Sequence, residues 1–246
     1  QKAPSIKVNI NRAKQIITQA LQNESEALMG SEDIKELLNI YGIPFVESQK
    51  VCSKDAASKA AESIGYPVVM KIDVSDISHK TDLNGVIIGI KNEEELIQSY
   101  DSLEKIIESH SDQFPSFALQ KMITKGTEMI IGIDNDAVAG PIIMCGMGGT
   151  HVEILADVSF KLPPLSDDKT RSMLESLKSY KLLTGYRGDE GIDLSLLQDI
   201  LIRVSTLAEN HPEIAELDMN PIIMAPKGNP SRVVDTRIRL SKSKPR

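Results

Sequence analysis

Glu213-Ile-Ala-Glu-Leu-Asp-Met-Asn-Pro-Ile-Ile-Met224 and the return run Arg232-Val-Val-Asp-Thr-Arg-Ile238 alternate apolar and polar residues. That is the period of half-buried strands rather than of a helix. Pleating puts Glu216, Asp218 and Asn220 on one face of the first run, and Leu217 and Met219 on the other. Asp235 and Arg237 share a face of the second run in the same way. Residues 225–231, Ala-Pro-Lys-Gly-Asn-Pro-Ser, are turn chemistry, so the two runs are expected to pair as a hairpin. One face then gathers carboxylates, an amide oxygen and a guanidinium. Hard oxygen ligands that leave positions open are how proteins hold Mg²⁺ shared with nucleotide phosphates. The wet face of an ordinary antiparallel sheet carries the same residue types, so the hairpin alone leaves both readings open.

At 246 residues the chain has room for one large domain or two small ones, each with a real core. Hydrophobic content of 41% and charged content of 26% place it among ordinary globular proteins. The net charge of −7 argues against nucleic acid as the main partner and leaves room for a local basic pocket. Cys52 and Cys145 lie far apart and make no metal spacing, which fits reduced thiols. No apolar run approaches the ~20 residues of a membrane span. Gln1-Lys-Ala-Pro-Ser-Ile-Lys-Val-Asn9 does not read as a signal peptide. A soluble, cytoplasmic protein with no membrane partner is expected.

Working outward from the hairpin, apolar residues at 10, 13, 16, 17, 20 and 21 predict a helix over residues 9–28, capped by Asn11. Ser31-Glu-Asp-Ile34 opens a second helix with Leu37, Leu38 and Tyr41 on its apolar face, closed by Gly42. Ile43-Pro-Phe-Val-Glu47 reads as a short strand. Ser53 caps an Ala-rich helix that Gly65 closes, and Tyr66-Pro-Val-Val-Met-Lys-Ile72 is a buried strand. A polar loop leads to the strand Gly85-Val-Ile-Ile-Gly-Ile90, and Asn92 caps a long amphipathic helix to about residue 108. Three strands then follow closely: Phe117-Ala-Leu-Gln-Lys-Met-Ile123, Thr127-Glu-Met-Ile-Ile-Gly-Ile133 and Ala139-Gly-Pro-Ile-Ile-Met-Cys145. Asp134-Asn-Asp136 is expected as the turn between the last two. Residues 167–180 and 194–209 read as helices, and 241–246 as a frayed basic tail. The division expected is a helical extension over 1–23, α+β lobes over 24–112 and 113–240, and the tail.

Three further stretches carry chemistry. Gly146-Met-Gly-Gly149 follows an apolar strand and has the bare backbone that lets N–H groups approach phosphates. It matches neither G-x-x-x-x-G-K-[ST] nor G-x-G-x-x-G, and on this stretch alone a strained hairpin turn is the favoured reading of the glycines. Lys71, beside Val68, Val69, Met70 and Ile72, either snorkels to water or offers a point charge to phosphate. The loop Ser75-Asp-Ile-Ser-His-Lys-Thr-Asp-Leu-Asn-Gly85 sets His79 among carboxylates and cations, a setting for nucleophilic or proton-transfer work.

Taken together and in this order, these stretches resemble the β subunit of the ADP-forming acyl-CoA synthetases, such as ADP-forming acetyl-CoA synthetase, in the succinyl-CoA synthetase superfamily. The segments that carry the resemblance are Gly65-Tyr-Pro-Val-Val-Met-Lys-Ile72, Asp76-Ile-Ser-His-Lys-Thr-Asp82 and Gly126-Thr-Glu-Met-Ile-Ile-Gly132. They continue with Gly140-Pro-Ile-Ile-Met-Cys-Gly-Met-Gly-Gly-Thr-His-Val-Glu153, Gly185-Tyr-Arg-Gly188 and the two hairpin runs. The resemblance implies an α/β ATP-grasp fold of two α+β lobes clamping a nucleotide, behind an N-terminal helix. It implies the reversible conversion of acyl-CoA, ADP and phosphate to acid, CoA and ATP. It assigns Lys71 and Arg237 to nucleotide phosphates, Asn220 and Asp235 to Mg²⁺ with Asp218 beside them, and Gly146, Gly148 and Gly149 to a phosphate-facing loop. It assigns Glu128 to the ribose and Gln120, Lys121, Met122 and Ile123 to an interlobe linker against adenine. His79 is implied as the residue that collects a phosphoryl group from a phosphohistidine on another subunit.

Two positions depart from the family's pattern: Lys121 stands where Glu is frequent, and Asn84-Gly85 where Gly-Gly is usual. The chain carries no Gly-rich Rossmann turn for CoA, so an α subunit bearing the CoA-binding domain and the phosphorylated histidine is the expected partner, in an α2β2 heterotetramer. Two other readings stand beside this one: a stand-alone ATP-grasp carboxylate–amine ligase, and a non-catalytic nucleotide-binding scaffold subunit.

Overall fold

Asn9, rather than Asn11, caps the first helix, its side chain accepting from Arg12 N at 3.2 Å. The structure, a computed structural model, describes residues 6–22, 24–74, 83–136, 138–149, 157–188 and 190–242. That helix, α1 (Ile10–Leu21), stops earlier than expected because the apolar stripe lapses after Leu21 and Gln22 turns to a positive φ of 43°. The remainder of the expected helix contains a strand, β1 (Glu26–Leu28). Gly30, not Ser31, precedes α2 (Ser31–Ile40).

The stretch at 43–47 supplies only a bridge at Phe45, and β2 forms later, at Ser48–Val51. Next come α3 (Lys54–Ile64), β3 (Val68–Ile72), β4 (Val86–Ile90), α4 (Glu93–His110) and β5 (Phe117–Lys121). Then β6 (Thr127–Asp136) runs through Asp134-Asn-Asp136, which is strand and not turn. The turn starts one step later, with Asp136 Oδ1 accepting from Val138 N at 2.8 Å and Ala139 N at 2.7 Å. After β7 (Gly140–Met147) and β8 (Val158–Lys161), the single helix expected at 167–180 is two, α5 (Asp167–Glu175) and α6 (Tyr180–Leu183). The chain ends with α7 (Leu194–Asn210), β9 (Ile214–Met224), β10 (Arg232–Val233) and β11 (Thr236–Ser241). Ser241 thus belongs to the sheet and not to a tail. His79, His151 and residues 243–246 lie outside the described residues.

Two compact units result: Gln1–Phe45 with Lys125–Arg246, and Val46–Thr124. The boundaries expected at 24 and 113 are therefore replaced by 46 and 125. The physical reason is long-range pairing that local pattern does not carry: β1 lies antiparallel to β11, Glu26 opposite Ser241. Tyr41 adds a second tie, its carbonyl accepting from Arg203 Nη1 of α7 at 2.8 Å.

The large unit holds a seven-stranded antiparallel sheet in the order β1-β11-β9-β6-β7-β8, with β10 on β9. Alternation along the strands sends Met129, Ile131 and Ile133, and on β9 Leu217 and Met219, into one core with Leu37 of α2 and Leu197 and Leu201 of α7. The opposite face carries Glu216 and Asp218 of β9 and Arg237 and Arg239 of β11, with Ile130, Met144 and Phe160 on the strands beyond. The smaller unit holds β2-β5-β3-β4, also antiparallel. Ser53 caps α3 by accepting from Ala56 N, and Asn92 caps α4 by accepting from Glu95 N at 2.9 Å. Three glutamates in the first turn of α4 add to that cap through the helix dipole. Ala57, Ala60 and Ala61 let α3 sit close, and Tyr100 of α4 meets Phe117 of β5 edge-on at 4.7 Å. Truncating such core side chains costs about 2–5 kcal/mol. Among the described residues, no helix is long and apolar enough to cross a membrane.

Candidate functional site

In the large unit, register builds a row across the exposed sheet face. Arg237 of β11 stands opposite Asp218 of β9, which stands opposite Gly132 of β6; Gly132 faces Met144 of β7, and Met144 faces Phe160 of β8. A Cβ at Gly132 would lie 3.3 Å from Leu217 O and 3.3 Å from Met144 Cε, so the bare position keeps the middle of the row low. Beside the row, Asn220 N donates to Asp235 O at 3.1 Å, which sets Asp235 across from Asn220 between β10 and β11. Asn220, Asp235 and Arg237 are exposed, while Asp218 is half-buried. Burial, then the nearby carboxylates of Glu216 and Asp235, raise the Asp218 carboxyl above its ordinary value, and Arg237 opposes them. Glu216 has its own cation, with Arg239 Nε 3.2 Å from its Oε2.

The donors here are two carboxylates and one amide oxygen, a hard set suited to Mg²⁺. Among the described residues there is no group of three or more His, Cys, Asp and Glu placed to hold a metal. A cation on this face would therefore keep several positions for water or phosphate oxygens. The sequence brought Asp218, Asn220, Asp235 and Arg237 to one face through the pleat. It missed Gly132 and Met144, which the same alternation along β6 and β7 would have placed there.

The expected glycine loop is partly strand. Gly146 and Met147 belong to β7, opposite Ile130 and Met129. A Cβ at Gly146 would come within 2.6 Å of Asp157 O, so close strand approach requires the glycine. Gly148 N donates to Glu128 O at 2.6 Å, and Gly149, at φ +75°, has Glu128 Oε2 3.0 Å from where a Cβ would lie. Glu128 and these two glycines thus meet at one end of the sheet.

In the smaller unit, Lys71 and Gln120 lie on the sheet face opposite α3 and α4, Lys71 across from Ala118 and Gln120 across from Val69. Both are buried. The stretch expected as a linker begins as strand: β5 reaches Lys121, and Met122 N donates to Pro67 O at 3.1 Å. Lys121 Nζ donates to Gly65 O at 2.5 Å and to Tyr66 O at 3.2 Å. A lysine in place of glutamate here thus serves the carboxyl end of α3. Ile123 and Thr124 close the unit.

The ATP-grasp domain family model matches residues 19–240. The Pyrococcus furiosus acetate–CoA ligase [ADP-forming] I subunit beta is 37% identical over 215 residues, which is 87% of this chain and 92% of that protein. The chain belongs to the ATP-grasp family of ADP-forming acyl-CoA ligase β subunits. The 4-hydroxybutyrate–CoA ligase [ADP-forming] of Nitrosopumilus maritimus is 38% identical over 97% of this chain and 34% of its own length. The chain thus spans about a third of the longer relatives it matches. Among solved structures, the dinucleotide forming acetyl-coenzyme A synthetase 1 of Ca. Korarchaeum cryptofilum, with coenzyme A and Ca-AMPCP, is 35% identical with a TM-score of 0.84. The match covers 93% of this ATP-grasp chain and 99% of that one. A second structure of that synthetase, with Mg-AMPPCP and its phosphohistidine segment pointing towards the nucleotide binding site, gives a TM-score of 0.77.

Proposed function

We propose that this ATP-grasp chain is the nucleotide-binding subunit of a cytoplasmic ADP-forming acyl-CoA synthetase that interconverts acyl-CoA, ADP and phosphate with acid, CoA and ATP. The observation that most supports it is the 37% identity across 92% of the Pyrococcus β subunit. The oxygen-rich sheet face fits that reading. Asn220, Asp235 and Asp218 would hold Mg²⁺, which neutralises phosphate charge and fixes the leaving oxygen when bound. Arg237 and Lys71 add the positive charge that an incoming nucleophile needs near a polyanion. Glu128 takes the ribose, Gly146, Gly148 and Gly149 bring bare backbone to phosphate, and Gln120, Lys121, Met122 and Ile123 take the base. His79 relays the phosphoryl group, since a neutral imidazole nitrogen is nucleophilic near pH 7. The partner is an α subunit with the CoA-binding domain and a phosphorylated histidine, assembled as α2β2.

Calorimetry with MgADP on the wild type and on Asp235→Ala tests the metal assignment. The variant is expected to lose the Mg²⁺-dependent part of its affinity, and an unchanged Mg²⁺ dependence removes Asp235 as a ligand. ADP- and phosphate-dependent release of CoA from acetyl-CoA is expected only when the α subunit is added. Full activity from this chain alone overturns the split-enzyme reading.

A further inference from the structure

We propose that the cleft at the turn end of the β6–β7 hairpin is a second binding site, for an ammonium or guanidinium group carried on a short apolar stem. The cleft measures about 590 Å³, within the range of small-ligand sites. Its walls come from the hairpin turn, the segment after β8 and the carboxyl end of α7.

The side-chain polar atoms it offers are acceptors. Asn135 uses Nδ2 on Pro212 O at 3.3 Å and Ile214 O at 3.4 Å, which leaves Oδ1 to accept. The backbone N–H groups of Val138 and Ala139 are taken by Asp136 Oδ1. Glu209 adds a second carboxylate on the last turn of α7, a turn that contains no basic residue. The terminal carbonyls of that helix carry the negative end of its dipole. Burial raises the Glu209 carboxyl, and Lys169 is the cation that opposes the shift. Lys169 Nζ is itself bonded to Pro164 O at 2.8 Å and Leu162 O at 3.4 Å.

A lining that presents the side-chain oxygens of Asn135, Asp136 and Glu209 calls for a donor, and ammonium and guanidinium groups are donors with no acceptor. The rings of Pro141, Pro163 and Pro212 and the side chain of Leu162 supply apolar wall for a stem. Proline walls lose no side-chain entropy when covered. Asp136 lies four residues along β6 from Gly132, on the order of 13 Å, so an occupant need not touch the Asp218 row.

The test is an NMR titration of the ¹⁵N-labelled full chain with three probes. Hexylammonium stands for a free amine, N-acetyl-lysine methylamide for a protein side chain, and hexanol is the uncharged counterpart. Saturable shifts at the amides of Val138, Ala139 and Gly140 are expected at up to about 10 mM of a cation. Hexylammonium binding alone assigns the site to a small amine, whereas equal or tighter binding of the lysine derivative assigns it to a partner's side chain. Glu209→Gln is expected to weaken binding about fivefold or more, and Leu162→Ser to weaken it through the apolar wall while leaving the charge in place. Both variants should keep wild-type unfolding midpoints and wild-type MgADP affinity, so failure here leaves the nucleotide reading standing. Equal shifts from hexanol, or no saturable shift from either cation, overturn the proposal.

Discussion

Replacing His211 by Gln probes the buried contact that ties the N-terminal helices to α7. His211 is 1% exposed, and its Nε2 lies 2.8 Å from the Tyr41 hydroxyl. Asn210 Nδ2 donates to that hydroxyl at 3.0 Å, so Tyr41 is free to give its own hydrogen to Nε2. The neutral ring then carries its proton on Nδ1, a buried atom with no partner among the described residues. Burial is the main cause holding this imidazole below its ordinary 6.5; Lys14 adds to the effect and Glu213 opposes it. Below that value the unfolded chain binds a proton that the folded chain resists. The stability tied to the neutral ring is therefore complete above the unfolded value and is lost as pH falls towards the folded one. One proton sets a limit of about 1.4 kcal/mol per pH unit. At about pH 7.5, His211→Gln should cost about 1–3 kcal/mol, because a flexible amide replaces the ring that packs edge-on against Tyr41 in a buried site. Urea unfolding from about pH 7.5 to 5.5 should then show the wild type losing stability more steeply than the variant, so that the two curves converge. Parallel curves would refute the neutral buried ring.

Gly146→Ala places a Cβ 2.6 Å from Asp157 O and 2.8 Å from Val158 Cγ1, so about 1–3 kcal/mol of destabilisation is expected as a lower melting temperature. An unchanged midpoint would mean that the two strands separate freely. Lys121→Met removes two bonds to the end of α3, at Gly65 O and Tyr66 O, and should cost the smaller unit about 1–2 kcal/mol. Hydrogen exchange along β5 measures that loss, and unaltered protection contradicts it. His79→Ala should abolish phosphoryl transfer between the partner and ADP while nucleotide affinity changes little, because a group used only during transfer adds nothing to ground-state binding. Normal turnover with the partner present ends the relay assignment.

The polar row was legible because a pleat converts spacing directly into sidedness: Asp218 and Asn220 share a face whatever the rest of the sheet does. The caps at Ser53 and Asn92 were legible for a similar reason, since a side chain reaching three residues ahead is a local event. What escaped depended on distant partners. Glu26–Leu28 is too short and too charged to read as strand, and it is one because β11 lies beside it. Asp134-Asn-Asp136 has turn composition, yet pairing with residues 140–142 keeps it extended. The glycines at 146 and 148 looked like a phosphate loop from composition alone; the nearness of Asp157 O and Glu128 O is a tertiary fact. The cleft beside α7 draws its walls from three separated stretches and leaves no mark in any one of them.

The pairing of β1 with β11 also fixes an order of assembly. The unit Val46–Thr124 is continuous in sequence and can complete its sheet before any of β6 to β11 has been synthesised. The helices α1 and α2 precede it on the ribosome, but β11, against which both lie, emerges last. Until then the core that buries Ile16, Leu37 and Leu38 in the finished protein is incomplete. A nascent chain halted before β11 would therefore carry one finished unit between two unfinished halves of the other.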